Sequence, residues 1–221
     1  MSQSIFQNRH SKRKFHADKP VNRETLESIF KDAINAPSWG NTQPWEVYVA
    51  TGEKLEELRS AYLKAFEDGE PFQSDIPMPT EWPELFQQRM NQAGEARFSQ
   101  LGIARGDHEA KAERMKANFQ FFDAPVVAFL TLDASLTEWS MHDLGIFSGF
   151  LMLSIEAHGL GSLPAYTSIS YPKFQREILG IPDDKKIVAG IIFGYPVLED
   201  KDSQVVMPRV ALEEVIHFKG N

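Results

Sequence analysis

The sequence predicts a layered domain of the α/β or α+β class. Three short apolar runs of strand character stand at 44–51, 125–132 and 186–193. Helical patterning fills the gaps between them, and these gaps are too long for a hairpin meander. Composition agrees: 42% of the 221 residues are hydrophobic and 24% charged, as in ordinary globular chains. The length fits one domain over 1–221, with 69–120 as an inserted lid or helical excursion.

Asn22 can cap a helix over 23–36, because Leu26, Ile29, Phe30, Ala33 and Ile34 recur with helical period and Pro37 stops it. From Pro44 to Thr51, Trp45, Val47 and Val49 alternate with Glu46, Tyr48 and Ala50, the period of a strand. A helix follows over 53–67. Pro71, Pro77, Pro79 and Pro83 exclude regular structure from 69–83. Residues 84–122 are polar and helical in pattern, with breaks near Gly102 and Gly106. The continuous apolar run 125–132 suits a strand buried on both faces. A helix over 139–158 is apolar almost all round between Leu144 and Ile155, so it is expected at the centre. Gly145 and Gly149 on it permit close approach of another element. A short helix over 171–179 and a third strand over 186–193 complete the pattern, and 209–218 shows no strong period.

Several chemistries are excluded. The chain has no cysteine, so disulfides, thiolate zinc sites, iron–sulfur clusters and cysteine nucleophiles are all ruled out. A net charge of −8 disfavours nucleic acid as a partner. The first residues lack a signal-peptide core, and the longest apolar stretch, 144–155, is short of the ~20 residues a membrane helix needs. A soluble, cytoplasmic protein without membrane contact is expected. None of the six histidines has H-E-x-x-H spacing, and no metal site is expected. A G-x-S-x-G elbow and a P-loop are lacking. Gly159-Leu160-Gly161-Ser162-Leu163-Pro164 follows a helix rather than a strand, which fails the context of a dinucleotide fingerprint.

Three segments carry candidate chemistry. In Arg9-His10-Ser11-Lys12-Arg13-Lys14-Phe15, guanidinium forks and a hydroxyl suit a compact anion such as a phosphate, and Phe15 offers an anchor. The alternative is a solvated basic face. In Pro37-Ser38-Trp39-Gly40-Asn41-Thr42-Gln43, amides can match a heterocycle edge of alternating N–H and C=O groups, or simply satisfy a turn. The glycines of 159–168 and 190–196 allow close approach or act as caps.

In order, these motifs resemble the FMN-dependent nitroreductase family. They continue with Pro20-Val21, Pro44-Trp45, Asp143-Leu144-Gly145, His158-Gly159-Leu160-Gly161, Leu179-Gly180-Ile181-Pro182, Gly194-Tyr195-Pro196 and Pro208-Arg209, nearly the whole chain. The Ser38-Trp39-Gly40-Asn41 version and the Pro-rich stretch near Trp82 look like the nitrobenzoate-reductase subgroup. The resemblance implies an α+β, three-layer fold with a mostly antiparallel central sheet flanked by helices. It implies an intertwined homodimer with two FMN molecules at the interface. Arg9, His10, Ser11 and Arg13 match positions that hold the FMN phosphate, ribityl chain and pyrimidine edge. Pro37, Ser38, Trp39 and Asn41 match a stretch that reaches the flavin of the other subunit. Pro164, Ala165 and Tyr166 match a segment against the ring, and Arg209 a phosphate-binding arginine. Met207 stands where some members carry Lys, and Ala165-Tyr166-Thr167 where many carry an acid followed by glycine.

The implied reaction is ping-pong hydride transfer, from NADPH or NADH to flavin N5 and on to a planar acceptor, a nitroarene passing through nitroso to hydroxylamine. Flavin carries that chemistry, so no catalytic side chain is assigned. Trp39, Tyr166, Phe122 and Trp82 are candidates for the acceptor pocket, with core packing as the alternative for each. A quinone or flavin reductase, or a non-catalytic FMN-binding protein, fits the same residues.

Overall fold

The computed structural model describes residues 4–220. A short helix α1 (Ile5–Asn8) leads into an extended arm, and α2 (Arg23–Ala33) follows, capped by the Asn22 side chain. It ends before the expected Ala36, because the Asn35 amide donates to the Lys31 and Asp32 carbonyls and unwinds the last turn. Then come β1 (Glu46–Thr51), α3 (Gly52–Glu67), α4 (Glu84–Leu101), α5 (His108–Phe119), β2 (Val126–Asp133) and α6 (Glu138–Ala157). The chain closes with β3 (Gly161–Pro164), α7 (Pro172–Leu179), β4 (Lys185–Gly194), α8 (Lys201–Gln204) and α9 (Leu212–Val215).

The four strands form one antiparallel sheet in the order β1-β2-β4-β3. Strand β2 is buried along its length, and its side chains alternate between two cores. Val127 and Phe129 face a layer built by α3, α5 and α7; Val126, Ala128 and Leu130 face α2 and α6. The three-layer expectation holds. Val188 is an extra residue where the β2–β4 register shifts beside Leu130.

Strand β3 went unpredicted. It is four residues long and its glycines pointed to a turn. Gly159, at φ 75°, turns the chain out of α6, and Gly161 then opens the strand. Gly190 in β4 is there for space: an added Cβ would overlap the Ser168 hydroxyl and lie 2.9 Å from its Cβ.

The amino-terminal arm is fastened to the sheet. Ser11 bridges to Ser162 of β3, and Phe15 bridges to Pro196. The His16 N–H donates to the Tyr195 carbonyl at 3.0 Å, and Phe15 is only 2% exposed. A freely solvated basic face is therefore excluded for this segment.

Two expectations are corrected. Helix α6 is central but not buried all round: Leu144, Phe147, Leu151 and Ile155 face the core, while Gly145 and Phe150 are exposed. Beyond the helix's own backbone and the adjoining residues, no atom of the described residues would lie within 4 Å of a Cβ at Gly145 or Gly149. In the 69–120 excursion, α5 belongs to a core layer, since Phe119 is fully buried and stacks on Phe66 at 4.2 Å. By contrast α4 buries only Leu101, its last residue.

Candidate active site

The arm sets the geometry. Its extended backbone alternates side chains, so Lys12 and Lys14 point one way and Ser11 and Arg13 the other. Arg9, His10 and Ser11 line a cavity of about 340 Å³ with Gln7, Met207 and Arg209. Four predicted residues from the two ends of the chain thus meet. Met207 fills the wall where a cation was absent from the sequence. Arg209 Nη1 donates to the carbonyls of Met207 and Pro208, at 3.0 and 3.2 Å, which folds the guanidinium back on its own segment.

His10 Nδ1 lies 2.8 Å from the Asn8 carbonyl, and Nε2 lies 2.7 Å from Lys12 Nζ. Nε2 also lies 3.0 Å from the Ser203 carbonyl; with the proton on Nδ1 it accepts from Lys12, and that carbonyl takes its hydrogen bond from Lys12. Lys12 also donates to the Ser203 carbonyl at 3.0 Å, and burial holds its ammonium below the usual lysine range. Lys12 therefore braces the arm from beneath.

Arg13 is the unbalanced residue. Its Nη1 is buried without a hydrogen-bond partner among the described residues, as is the hydroxyl of Ser162 on β3. Burial, and then the nearby Arg97 cation, push the guanidinium down to about 10, against a smaller opposing pull from Asp202. It still carries its charge at neutral pH. Buried donors of this kind are satisfied in native proteins, so the site asks for an acceptor, best an anion.

The second predicted segment lies elsewhere in the chain. Gly40, Asn41 and Gln43 have φ of 56°, 56° and 46°, a left-handed turn. The Ser38 hydroxyl accepts from the Gln43 N–H at 2.9 Å, which ties the turn and leaves its own O–H free to donate. Asp143, buried at 4% exposure in α6, accepts from the Trp39 N–H at 3.1 Å. That anchor was missed as a site element, because its partner lies 104 residues away. The turn leaves Pro37 and Asn41 exposed and holds the Trp39 ring out at 72% exposure. A cavity of about 620 Å³ lies beside it, between Trp39, Pro44, Trp139 and Asp143. Trp45 is structural, stacked on Phe147 at 4.9 Å.

In the third segment, Pro164 is exposed and Tyr166 stands out at 74% exposure. Ala165 is different: its side chain is buried in the core, and its N–H and C=O bond Gly190 and Ser168. Phe122 is corrected outright, since it is 4% exposed and packed into the core rather than set at a pocket wall. A left-handed backbone, φ 53°, turns its ring inward. Trp82, on the irregular stretch before α4, is 45% exposed and lines none of the cavities described above.

Residues 6–195 match the sequence profile of the Nitroreductase family.

The chain belongs to the nitroreductase family.

It is 34% identical to a chloronitrobenzene nitroreductase of Comamonas testosteroni, over 97% of this chain and 95% of the relative. It is 32% identical to a nitrobenzene nitroreductase of Ectopseudomonas oleovorans, over 97% and 95%. Among solved structures it is similar to the FMN and NADPH-dependent nitroreductase NfnB of Sphigopyxis sp. strain HMH, with TM-score 0.92, 33% identity and 98% of each chain covered. That structure shares the layered fold described above along nearly the full length of the chain. No helix among the described residues is long and apolar enough to cross a membrane.

Proposed function

We propose that this protein is an NAD(P)H-dependent reductase of nitroaromatic compounds that uses FMN and works as a homodimer. The observation that carries the reading is the buried, unpartnered guanidinium nitrogen of Arg13, on the same arm as the cavity-lining Arg9, His10 and Ser11. FMN fits this donor set: it brings a phosphate and a ring edge of carbonyl and nitrogen acceptors. The named activities and cofactors of the relatives point the same way.

FMN, when bound, supplies two-electron hydride chemistry between a reduced nicotinamide and an acceptor. Arg9, His10, Ser11 and Arg209 are the residues that hold its phosphate and chain. Arg13 supplies fixed positive charge to stabilise negative charge on the ring. Lys12 and His10 keep the arm in place. Trp39, Tyr166 and Trp82 present exposed aromatic surface for a planar acceptor, and α4, tied to the carboxy-terminal segment through Arg89–Glu214 and Arg97–Asp202, is the lid. Solvent supplies the protons, so no side chain is asked to move one.

A second copy completes the site in this reading. The Pro37–Asn41 turn and the Arg9–Arg209 cavity share no lining residue within one chain. The outer face of α6, with exposed Gly145 and Phe150 and half-buried Gly149, is a surface made for close approach. The tail beyond Arg209 also leaves Leu212, Ile216 and Phe218 uncovered, the last at 83% exposure. Exposed apolar surface on this scale marks an interface.

An absorption spectrum of the freshly purified protein, then anaerobic titration with NADPH and NADH, tests the reading. The expected result is a flavin spectrum that bleaches with one equivalent of reductant and recovers on adding a nitroarene. A protein that stays colourless with added FMN overturns it. Bleaching with recovery by quinones or free flavin alone makes it a reductase of those acceptors instead.

A further inference from the structure

The helices of the excursion each send an arginine inward. Arg97 of α4 donates from Nη2 to Asp202 Oδ1 at 3.2 Å, and Arg114 of α5 donates from Nη2 to Oδ2 at 3.1 Å. The side chains are largely covered: 21% exposed for Arg97, 26% for Arg114 and 18% for Asp202. Arg13 lies within their field, since Arg97 disfavours its charged form and Asp202 favours it. Arg97 and Arg114 therefore share one carboxylate, with Arg13 and Lys14 also in its field and Asp200 and Asp123 beside Lys14. Among the described residues six buried side-chain polar atoms lack a partner, and three of them are here: Arg13 Nη1, Arg97 Nε and Arg114 Nε.

Asp202 also ties this cluster to the arm. It lies in α8, where the next residue, Ser203, accepts from Lys12 through its carbonyl and donates its hydroxyl to the Lys14 carbonyl at 3.2 Å. The chain of contacts runs from the excursion, through Asp202 and Ser203, to the segment that bears Arg9, Ser11 and Arg13.

We infer that the charge of Arg97, held on Asp202 beside Arg114, acts together with Arg13, and that this cluster sets how much more tightly the site holds an anionic reduced flavin than an oxidised one. The inference rests on the FMN reading above and deepens it. A dry cluster with surplus positive charge stabilises a ligand that gains negative charge more than one that does not. A cluster serving only as a staple between helices lacks that selectivity: loosening it weakens both flavin forms alike.

The test is the ratio of dissociation constants for oxidised and reduced FMN in the full-length holoprotein. Direct titration gives the oxidised form, and equilibrium reduction against a reference dye gives the ratio. Arg97→Gln is expected to lower the preference for reduced FMN about tenfold, a shift of about 30 mV to more negative potential for a two-electron couple. Arg97→Lys retains most of the preference, and Asp202→Asn raises it. Arg114→Gln gives the same readout from the other oxygen of the carboxylate if an Arg97 variant fails to fold. An unchanged ratio in folded Arg97→Gln or Arg114→Gln overturns the inference while leaving FMN binding intact. Failure of the unmodified protein to bind FMN overturns the flavin reading, and this inference with it.

Discussion

Arg13 sets stability and binding against each other. A base whose folded pKa is depressed, here to about 10 by burial, binds its proton less well folded than unfolded. Folding is therefore penalised at every pH below about 10, and the penalty is relieved only as the pH rises above that value. A bound anion removes the same penalty. Arg13→Gln is thus expected to leave the FMN-free protein as stable as before, or more so, in a thermal melt. Its FMN affinity falls roughly 10- to 100-fold in a fluorescence titration, since a hydrogen bond to a charged group contributes about 1.5–3 kcal/mol. A matched loss of melting temperature in the FMN-free protein counts against the role given to Arg13. Gly190 carries a purely structural prediction. Gly190→Ala forces its new methyl into Ser168, and overpacking of this kind costs about 1–3 kcal/mol in urea unfolding. Adding Ser168→Gly, which empties that space, recovers part of the loss. The basic arm was legible as a tethered anion site because Phe15 stood beside the cations. The free nitrogen of Arg13 was not legible, because its neighbours Arg97 and Asp202 lie on α4 and α8, far along the chain.

At the scale of elements, the turn between α5 and β2 is the least expected feature. Phe121, Phe122 and Asp123 have φ of 53°, 53° and 61°, three successive non-glycine residues in the left-handed region. Each costs of order 1–2 kcal/mol. The turn persists because both phenylalanines enter the core and because Arg59 donates to the Gln120 and Ala124 carbonyls on either side. Lys14 then reaches over from the arm to Asp123 at 2.7 Å, and that hydrogen bond raises the lysine above its ordinary value of 10.5. A raised base contributes stability that is fully present below its unfolded pKa and is lost as the pH rises through the folded one. Asp123→Asn keeps a residue tolerant of this backbone and removes the charge. The unmodified protein should therefore exceed the variant by a constant margin up to about pH 10 and lose that margin above the lysine range. Urea melts at pH 8 and pH 11 measure it. The pair is 44% and 40% exposed, so screening keeps the margin small. Sequence periodicity located α2, α3, α6, α7, β1, β2 and β4 to within a few residues, because each has an apolar face long enough to repeat. It missed β3 because four residues cannot show a period. It missed the left-handed turn because no glycine marks it.

At the scale of the whole molecule, one chain is an incomplete object in this reading, and α6 supplies the means to test that. The sequence showed α6 as apolar all round; the fold accounts for only one face of it. Sequence alone could not divide the two faces, since a face packed on a second copy and a face packed on the chain's own sheet look alike in composition. Gly149 separates them experimentally. Within the chain a Cβ added there meets nothing within 4 Å beyond the helix's own backbone, and replacing an interior helix glycine stabilises the helix by about 0.5–1 kcal/mol. Gly149→Leu is therefore expected to keep the fold of the single chain. Across a close helix contact the same leucine occupies space the second copy needs. The expected outcome is a variant with unchanged helical circular dichroism that sediments as a monomer of about half the unmodified mass and no longer retains FMN. A variant that remains dimeric with its flavin removes α6 from the interface and shifts the burden to the apolar tail beyond Arg209. An unmodified protein that sediments as a monomer while binding FMN sinks the shared-site proposal itself, because one chain then suffices to hold the cofactor.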